Sequence, residues 1–113
     1  MERFVRGDVV IINFPFSNLL RLKRRPALIL KIPKGDDVIV SQITGKSYEY
    51  PVEIIIDKND FKYGELRVTS YLRIDKIFSL EKSLIAYKIG SLKQEKFDLI
   101  LNEICDFLKS WKI

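Results

Sequence analysis

The sequence predicts a mainly β domain in which a strongly bent antiparallel sheet closes into a small barrel capped by one C-terminal helix. Three observations carry this: runs of β-branched residues between short turns, strands apolar on both faces, and a three-and-four apolar period after Ser91. Strands without clean alternation suit a small closed barrel better than a one-sided sheet. With 113 residues and 47% apolar composition, the chain is read as one domain, residues 1–113, with a single architecture. A chain this short buries only about two-thirds of its unfolded surface, so a shared dimer interface would help it.

Residues 8–14 (DVVIINF) read as the first strand, ended by Pro15, which lacks a ladder donor, and by Ser17 and Asn18, which bond their own backbone. A loop then reaches Arg25. Residues 26–32 form the second strand, 33–37 a turn and 38–44 the third strand. Residues 45–51 are a loop carrying Lys46, Tyr48 and Tyr50, and 52–56 a fourth strand. Residues 66–72 and 74–78 are expected as two further strands, and 83–89 as a short one before Gly90. Phe97, Ile100, Leu101, Ile104, Leu108 and Trp111 then recur at helical spacing, with Ser91 and Gln94 as a capping box. Cys105 is expected as a buried thiol on that stripe and Trp111 as helix packing.

The net charge of +5 resides wholly in residues 1–48, which hold nine basic residues against four acids. Arg21, Lys23, Arg24 and Arg25 are its densest point, with no acid between Asp8 and Asp36. Such a patch attracts polyanions, of which nucleic acid is the commonest, although a merely solvated loop has the same composition. The chain has no histidine, which excludes Ser-His and Cys-His nucleophiles, His-ligated zinc and a two-imidazole route to RNA cleavage. No apolar run reaches membrane-spanning length and residues 1–6 lack a secretory apolar stretch, so a cytoplasmic protein without membrane contact is expected.

Gly7-Asp8-Val9-Val10, Arg24-Arg25-Pro26-Ala27-Leu28-Ile29, Ile43-Thr44, Ile74-Asp75-Lys76-Ile77-Phe78 and Ile89-Gly90-Ser91-Leu92 resemble, in order and spacing, the successive blocks of the MazF/PemK toxins. The resemblance spans Arg6 to the C-terminal helix. It implies an SH3-like barrel, a homodimer, and the toxin of a toxin-antitoxin pair that cuts single-stranded RNA without metal or cofactor. The RNA 2′-hydroxyl would be the nucleophile, leaving 2′,3′-cyclic phosphate and 5′-hydroxyl ends. By position, Arg25 and Thr44 fall on the family's catalytic arginine and threonine, and Arg73 on an arginine supporting the RNA groove. Arg21, Lys23, Arg24, Lys46 and Tyr48 are the remaining candidates for RNA contact. An acidic, partly disordered antitoxin segment is the expected protein partner.

A guanidinium fork suits this chemistry, because cyclising attack builds negative charge on phosphorane oxygens. With an ordinary pKa above about 12, Arg25 serves better as a charge stabiliser than as a base. Each residue also has a plainer reading. Arg25 is then a strand-entry charge, Thr44 a β-former, Arg73 a partner of Asp75 or Glu65, and Tyr48 and Tyr50 packing aromatics. The chain departs from the family pattern at Gly45, where serine is frequent, at Tyr71, where some members have glutamine, and in the apolar and basic stretch from Asn18 to Lys23. Two other functions share the features: a gyrase poison of the CcdB type, for which the Ser110-Trp111-Lys112-Ile113 end is a loose echo, and a catalytically silent binding barrel.

Overall fold

The structure, a computed structural model, describes residues 3–15, 22–49 and 52–111. Its strands are β1 (Asp8–Pro15), β2 (Leu22–Lys31), β3 (Asp37–Thr44), β4 (Glu53–Ile56), β5 (Phe61–Gly64), β6 (Ser70–Glu81) and β7 (Ile85–Leu92), followed by α1 (Gln94–Lys109). They form one antiparallel sheet in the order β4-β6-β3-β2-β1-β7-β5. The expected mainly β architecture with one terminal helix is what the chain adopts. None of the helices among the described residues is long and apolar enough to cross a membrane.

The sheet has a core on each face, which explains why its central strands do not alternate. Val9, Leu28, Ile43 and Leu72 point into the larger core, where Phe97, Ile100 and Ile104 of α1 cover them. Val10, Ile12, Ala27, Ile29, Val38 and Val40 point the other way into a smaller core closed by Phe78 and Leu80. Each fully buried aliphatic side chain contributes about 1.5–3 kcal/mol. One strand serves both cores because β6 carries an irregularity opposite β3: Ile43 pairs with Leu72, yet Ser41 pairs with Ile77. The extra residues kink β6, so Leu72 and Ile74 fill the larger core while Phe78 and Leu80 close the smaller one.

Several expectations are corrected. The two strands expected at 66–72 and 74–78 are the single kinked β6, which starts only at Ser70, and β5 was not anticipated. The second strand starts at Leu22, so the basic residues from Lys23 to Arg25 belong to a strand rather than to the loop. Pro26 is accommodated there because it is paired with Ile11 of β1 while the β2–β3 ladder begins only at Ala27, leaving an edge-like open side. Ser91 does not cap α1. It lies in β7 and donates its hydroxyl to the Gly7 carbonyl at 3.4 Å, and the N-cap is Lys93, which makes no side-chain capping bond. Cys105 is exposed, because it points away from the sheet that buries its neighbour Ile104, and Trp111, past the end of α1, is 87% exposed.

The close crossing of β5 and β7 requires glycine. Gly64 has φ +80°, and a methyl group there would run into the Ile89 carbonyl oxygen. Gly64→Ala is expected to destabilise the fold by about 1–3 kcal/mol. Its thermal midpoint should fall by about 5 °C or more, as read by circular dichroism.

Candidate active site

Side-chain alternation and register place the candidate residues on the two faces of the sheet. In the β2–β3 ladder, Ala27 pairs with Gln42, Leu28 with Ser41 and Ile29 with Val40. Arg25 and Thr44 each lie two residues past the last pair of this ladder. Ala27 and Val40 belong to the smaller core, so Arg25, Gln42 and Thr44 share its face at the rim. Thr44 pairs in turn with Tyr71 of β6, and Arg73 with Glu53 of β4, which extends the same face across four strands. Arg25 is half-buried, and no hydrogen bond or ion pair ties its side chain to another described residue. Its backbone is held opposite Ile12, which is fully buried.

Thr44 is buried at the end of β3, where its Oγ1 accepts from the Lys46 amide at 3.3 Å and lies 3.4 Å from the Lys46 carbonyl. These are long bonds, so the hydroxyl marks the turn without being saturated by it. The turn itself is built by Glu53, a residue the sequence reading passed over. Its carboxylate accepts from the Ser47 hydroxyl at 2.7 Å and from the Tyr48 amide at 2.8 Å, and Ser47 Oγ accepts from the Glu49 amide at 3.0 Å. Glu49 adopts φ +58°, a left-handed conformation that a non-glycine residue takes only when its surroundings impose it. The Tyr48 amide bond above all, helped by Ser47 and by the Arg73 charge, holds the Glu53 carboxyl below the usual carboxylate range.

Arg73 is buried and locked. Its Nε and Nη2 donate to the two oxygens of Asp75 at 2.8 and 2.7 Å, and that pairing holds the Asp75 carboxyl below its ordinary value. The Tyr48 ring lies 5.8 Å from the Arg73 guanidinium and 5.7 Å from Lys46 Nζ. Arg73 therefore pairs with Asp75, as its plainer reading had it, and its guanidinium also lies against the Tyr48 ring. With its charge shared by two carboxylates, it adds less to the groove's attraction for anions than Arg25 or Lys46.

The structure thus brings Arg25, Thr44, Lys46, Tyr48 and Arg73 to one face. Lys23 is exposed and, two residues from Arg25, shares its side of β2. Arg24 points to the opposite face. Its Nε donates to Asn13 Oδ1 at 3.2 Å and its guanidinium lies over Tyr87 of β7 at 5.9 Å. Arg21 and Tyr50 lie outside the described residues. Among the described residues, no three acidic or cysteine side chains gather in a way that would hold a metal ion.

Glu53 left one trace in the sequence: a single carboxylate in an otherwise aliphatic strand, VEIII. Glu53→Ala should accelerate hydrogen exchange at the Tyr48 amide, measured by mass spectrometry or NMR. Because the carboxyl is lowered in the fold, its contribution is complete above its unfolded value of 4.5 and is lost as pH falls through the lower folded value. Acidification should therefore loosen the wild-type turn and leave the Glu53→Ala turn unchanged.

Comparison with known proteins identifies the fold and the family. No curated protein sequence matches the chain. Among solved structures it is similar to an endoribonuclease in complex with its cognate antitoxin from Mycobacterial species, with a TM-score of 0.74 and 18% identity, covering 97% of this chain and 100% of that one. The Mycobacterium tuberculosis toxin MazF-mt6 superposes with a TM-score of 0.71 and 21% identity over 92% of this chain and 99% of that one. A MazE-MazF structure from Deinococcus radiodurans gives 0.73 and 19%, over 90% and 92%. At these identities the likeness establishes the fold, while residues 5–108 match the family model directly. The chain belongs to the PemK-like, MazF-like toxins of type II toxin-antitoxin systems.

Proposed function

We propose that this toxin is an endoribonuclease that cleaves single-stranded RNA by attack of the RNA's own 2′-hydroxyl. The observation that carries the reading is the β2–β3 register, which brings a guanidinium with no described counter-ion and a strand-end hydroxyl to one face of the sheet, each two residues past the end of the ladder. The 2′-oxygen forms a bond to phosphorus, the bond from phosphorus to the 5′-oxygen breaks, the 2′-hydroxyl proton leaves to water, and the departing oxygen takes up a proton. Charge accumulates on the non-bridging oxygens, where Arg25 stabilises it through a fixed fork that needs no proton transfer. Thr44 positions the phosphate or the 2′-hydroxyl, and Lys46 with Tyr48 provides a cation and a stacking ring for the flanking nucleotides.

The partner of the resting protein is an antitoxin whose acidic segment occupies the same basic groove. The toxin itself acts as a homodimer. The apolar stripe of α1 runs from Phe97, Ile100 and Ile104, all buried, to Leu108, 67% exposed, and Trp111 just past the helix is 87% exposed, so a second copy would cover what the sheet does not.

Unstructured RNA incubated with the pure protein in EDTA should yield cyclic-phosphate and 5′-hydroxyl ends. Arg25→Ala should cleave about 10²- to 10³-fold more slowly, and equal cleavage by that variant would remove Arg25 from the mechanism. Light scattering should report a dimer for the wild type, and Leu108→Glu combined with Trp111→Glu should shift it to monomer.

A further inference from the structure

The β2–β3 ladder ends at Ala27 and Gln42, and beyond that point β2 is paired with β1 while β3 is paired with β6. The parting strands open a groove of about 350 Å³. Ile11 and Pro26 form one wall, Gly45 and Ser70 the other, with Tyr87 alongside and residues 65–68 as the roof. Pro26 follows Arg25 and Gly45 follows Thr44, so the groove opens at the same gap between the strands as the proposed centre, on the opposite face of the sheet. We propose that this groove takes one nucleobase of the RNA, next to the scissile phosphate, and that Glu65 selects a base carrying an exocyclic amino group. The inference rests on the endoribonuclease reading and adds to it the site of base selection.

The lining suits a base better than an aliphatic side chain. Tyr87 is 44% exposed and already carries the Arg24 guanidinium over its ring, a planar pair of the kind on which an unstacked base settles. Asn13 orients that guanidinium through its Nε. The apolar lining of Ile11, Pro26 and Ile89 excludes water from the ring faces, while Arg67 in the lining and Arg24 over Tyr87 match the charge of the adjoining phosphates. No hydrogen bond or ion pair ties the Glu65 carboxylate to a described residue, and a carboxylate accepts from the amino groups of cytosine, adenine or guanine but finds no amino group on uracil. The roof is held in shape by the Ser70 hydroxyl, which donates to the Val68 carbonyl at 2.9 Å. A methyl group at Gly45 would make only an ordinary contact with Val68 Cγ2, at 3.7 Å.

The test uses a randomised single-stranded RNA pool and the same pool with 2′-deoxy sugars, which keeps the bases and lacks the nucleophile. Wild-type, Glu65→Ala and Val68→Trp proteins are compared, the last because Val68 is 61% exposed and a larger side chain can fill the groove without disturbing a core. For the wild type, amino-bearing bases should be enriched about fivefold or more over uracil at one position beside the cut, and at one position of the retained deoxy strands. Both variants should lose that preference. Discrimination in the deoxy pool without cleavage of RNA would refute the endoribonuclease reading and support the groove. Cleavage with no preference at that position, or with the same preference in all three proteins, would overturn the groove and leave the nuclease standing. Neither cleavage nor selective binding would overturn both.

Discussion

The β2–β3 register is the constraint on which the rest of this molecule depends. Shifting it by one residue would exchange the contents of the two cores, sending Leu28 to the smaller and Ala27 to the larger. Because buried side chains lie on both faces, at Val9 and Leu28 on one and Val10, Ile12 and Ala27 on the other, neither face tolerates the slip. The pairing is thus fixed by packing energy well away from the groove. Arg25 and Thr44 are two positions beyond the last paired residues, so they receive that precision without contributing to it. A long side chain on a frame of buried aliphatics loses less freedom when it meets a phosphate than one on a loop would.

The distribution of charge follows from the same arrangement. Of the four cations on the face shared with Thr44, Arg73 is compensated by Asp75 and, across the strand, by Glu53, whereas Arg25 has no carboxylate beside it among the described residues. The difference separates two tasks. A neutralised, buried arginine can brace the Tyr48 ring at little electrostatic cost, and an uncompensated one at the rim keeps its field for an anion. In a chain without histidine the permanent charge of arginine is the available strong electrophile, and its usefulness depends on keeping acids away from it. The acid-free interval from Asp8 to Asp36 does so in sequence, and the parting of β2 from β3 does so in space.

Much of this was legible in the sequence, for identifiable reasons. Strands β1 and β3 were plain because runs such as DVVIINF and VIVSQIT combine β-branched residues with turn signals at both ends, and α1 because its period is unmistakable. The second strand was read four residues too short because Pro26 signals a strand start, whereas here proline stands at the open side of a continuing strand. The kink in β6 hid its continuity, since Arg73 and Asp75 look like an interruption until their bidentate pairing shows why the strand can carry them. β5 has four residues and two glycine-dependent contacts, too little pattern for periodicity to detect. At the candidate site, Arg25, Thr44 and Arg73 are singled out by likeness to a motif. Glu53 is not, because its importance lies in which amides converge on it, and convergence of that kind is set by tertiary structure alone.

The two faces of β2 give the strand a dual role that no single motif describes. Odd positions Lys23 and Arg25 look toward the face shared with Thr44, and even positions Arg24 and Pro26 toward the face shared with Tyr87 and Ile11. In an internal strand the two sides would be sealed from one another by ladders on both edges. Because the ladder to β3 stops at Ala27, the same short segment lies at a gap, and a single-stranded nucleic acid crossing that gap can meet a guanidinium on each side. On the proposed mechanism the consecutive pair Arg24-Arg25 is two separate devices, one directed at the phosphate and one at the flanking ring. Neither lysine nor a shifted arginine would do the same work, since the first lacks the planar fork and the second would change faces.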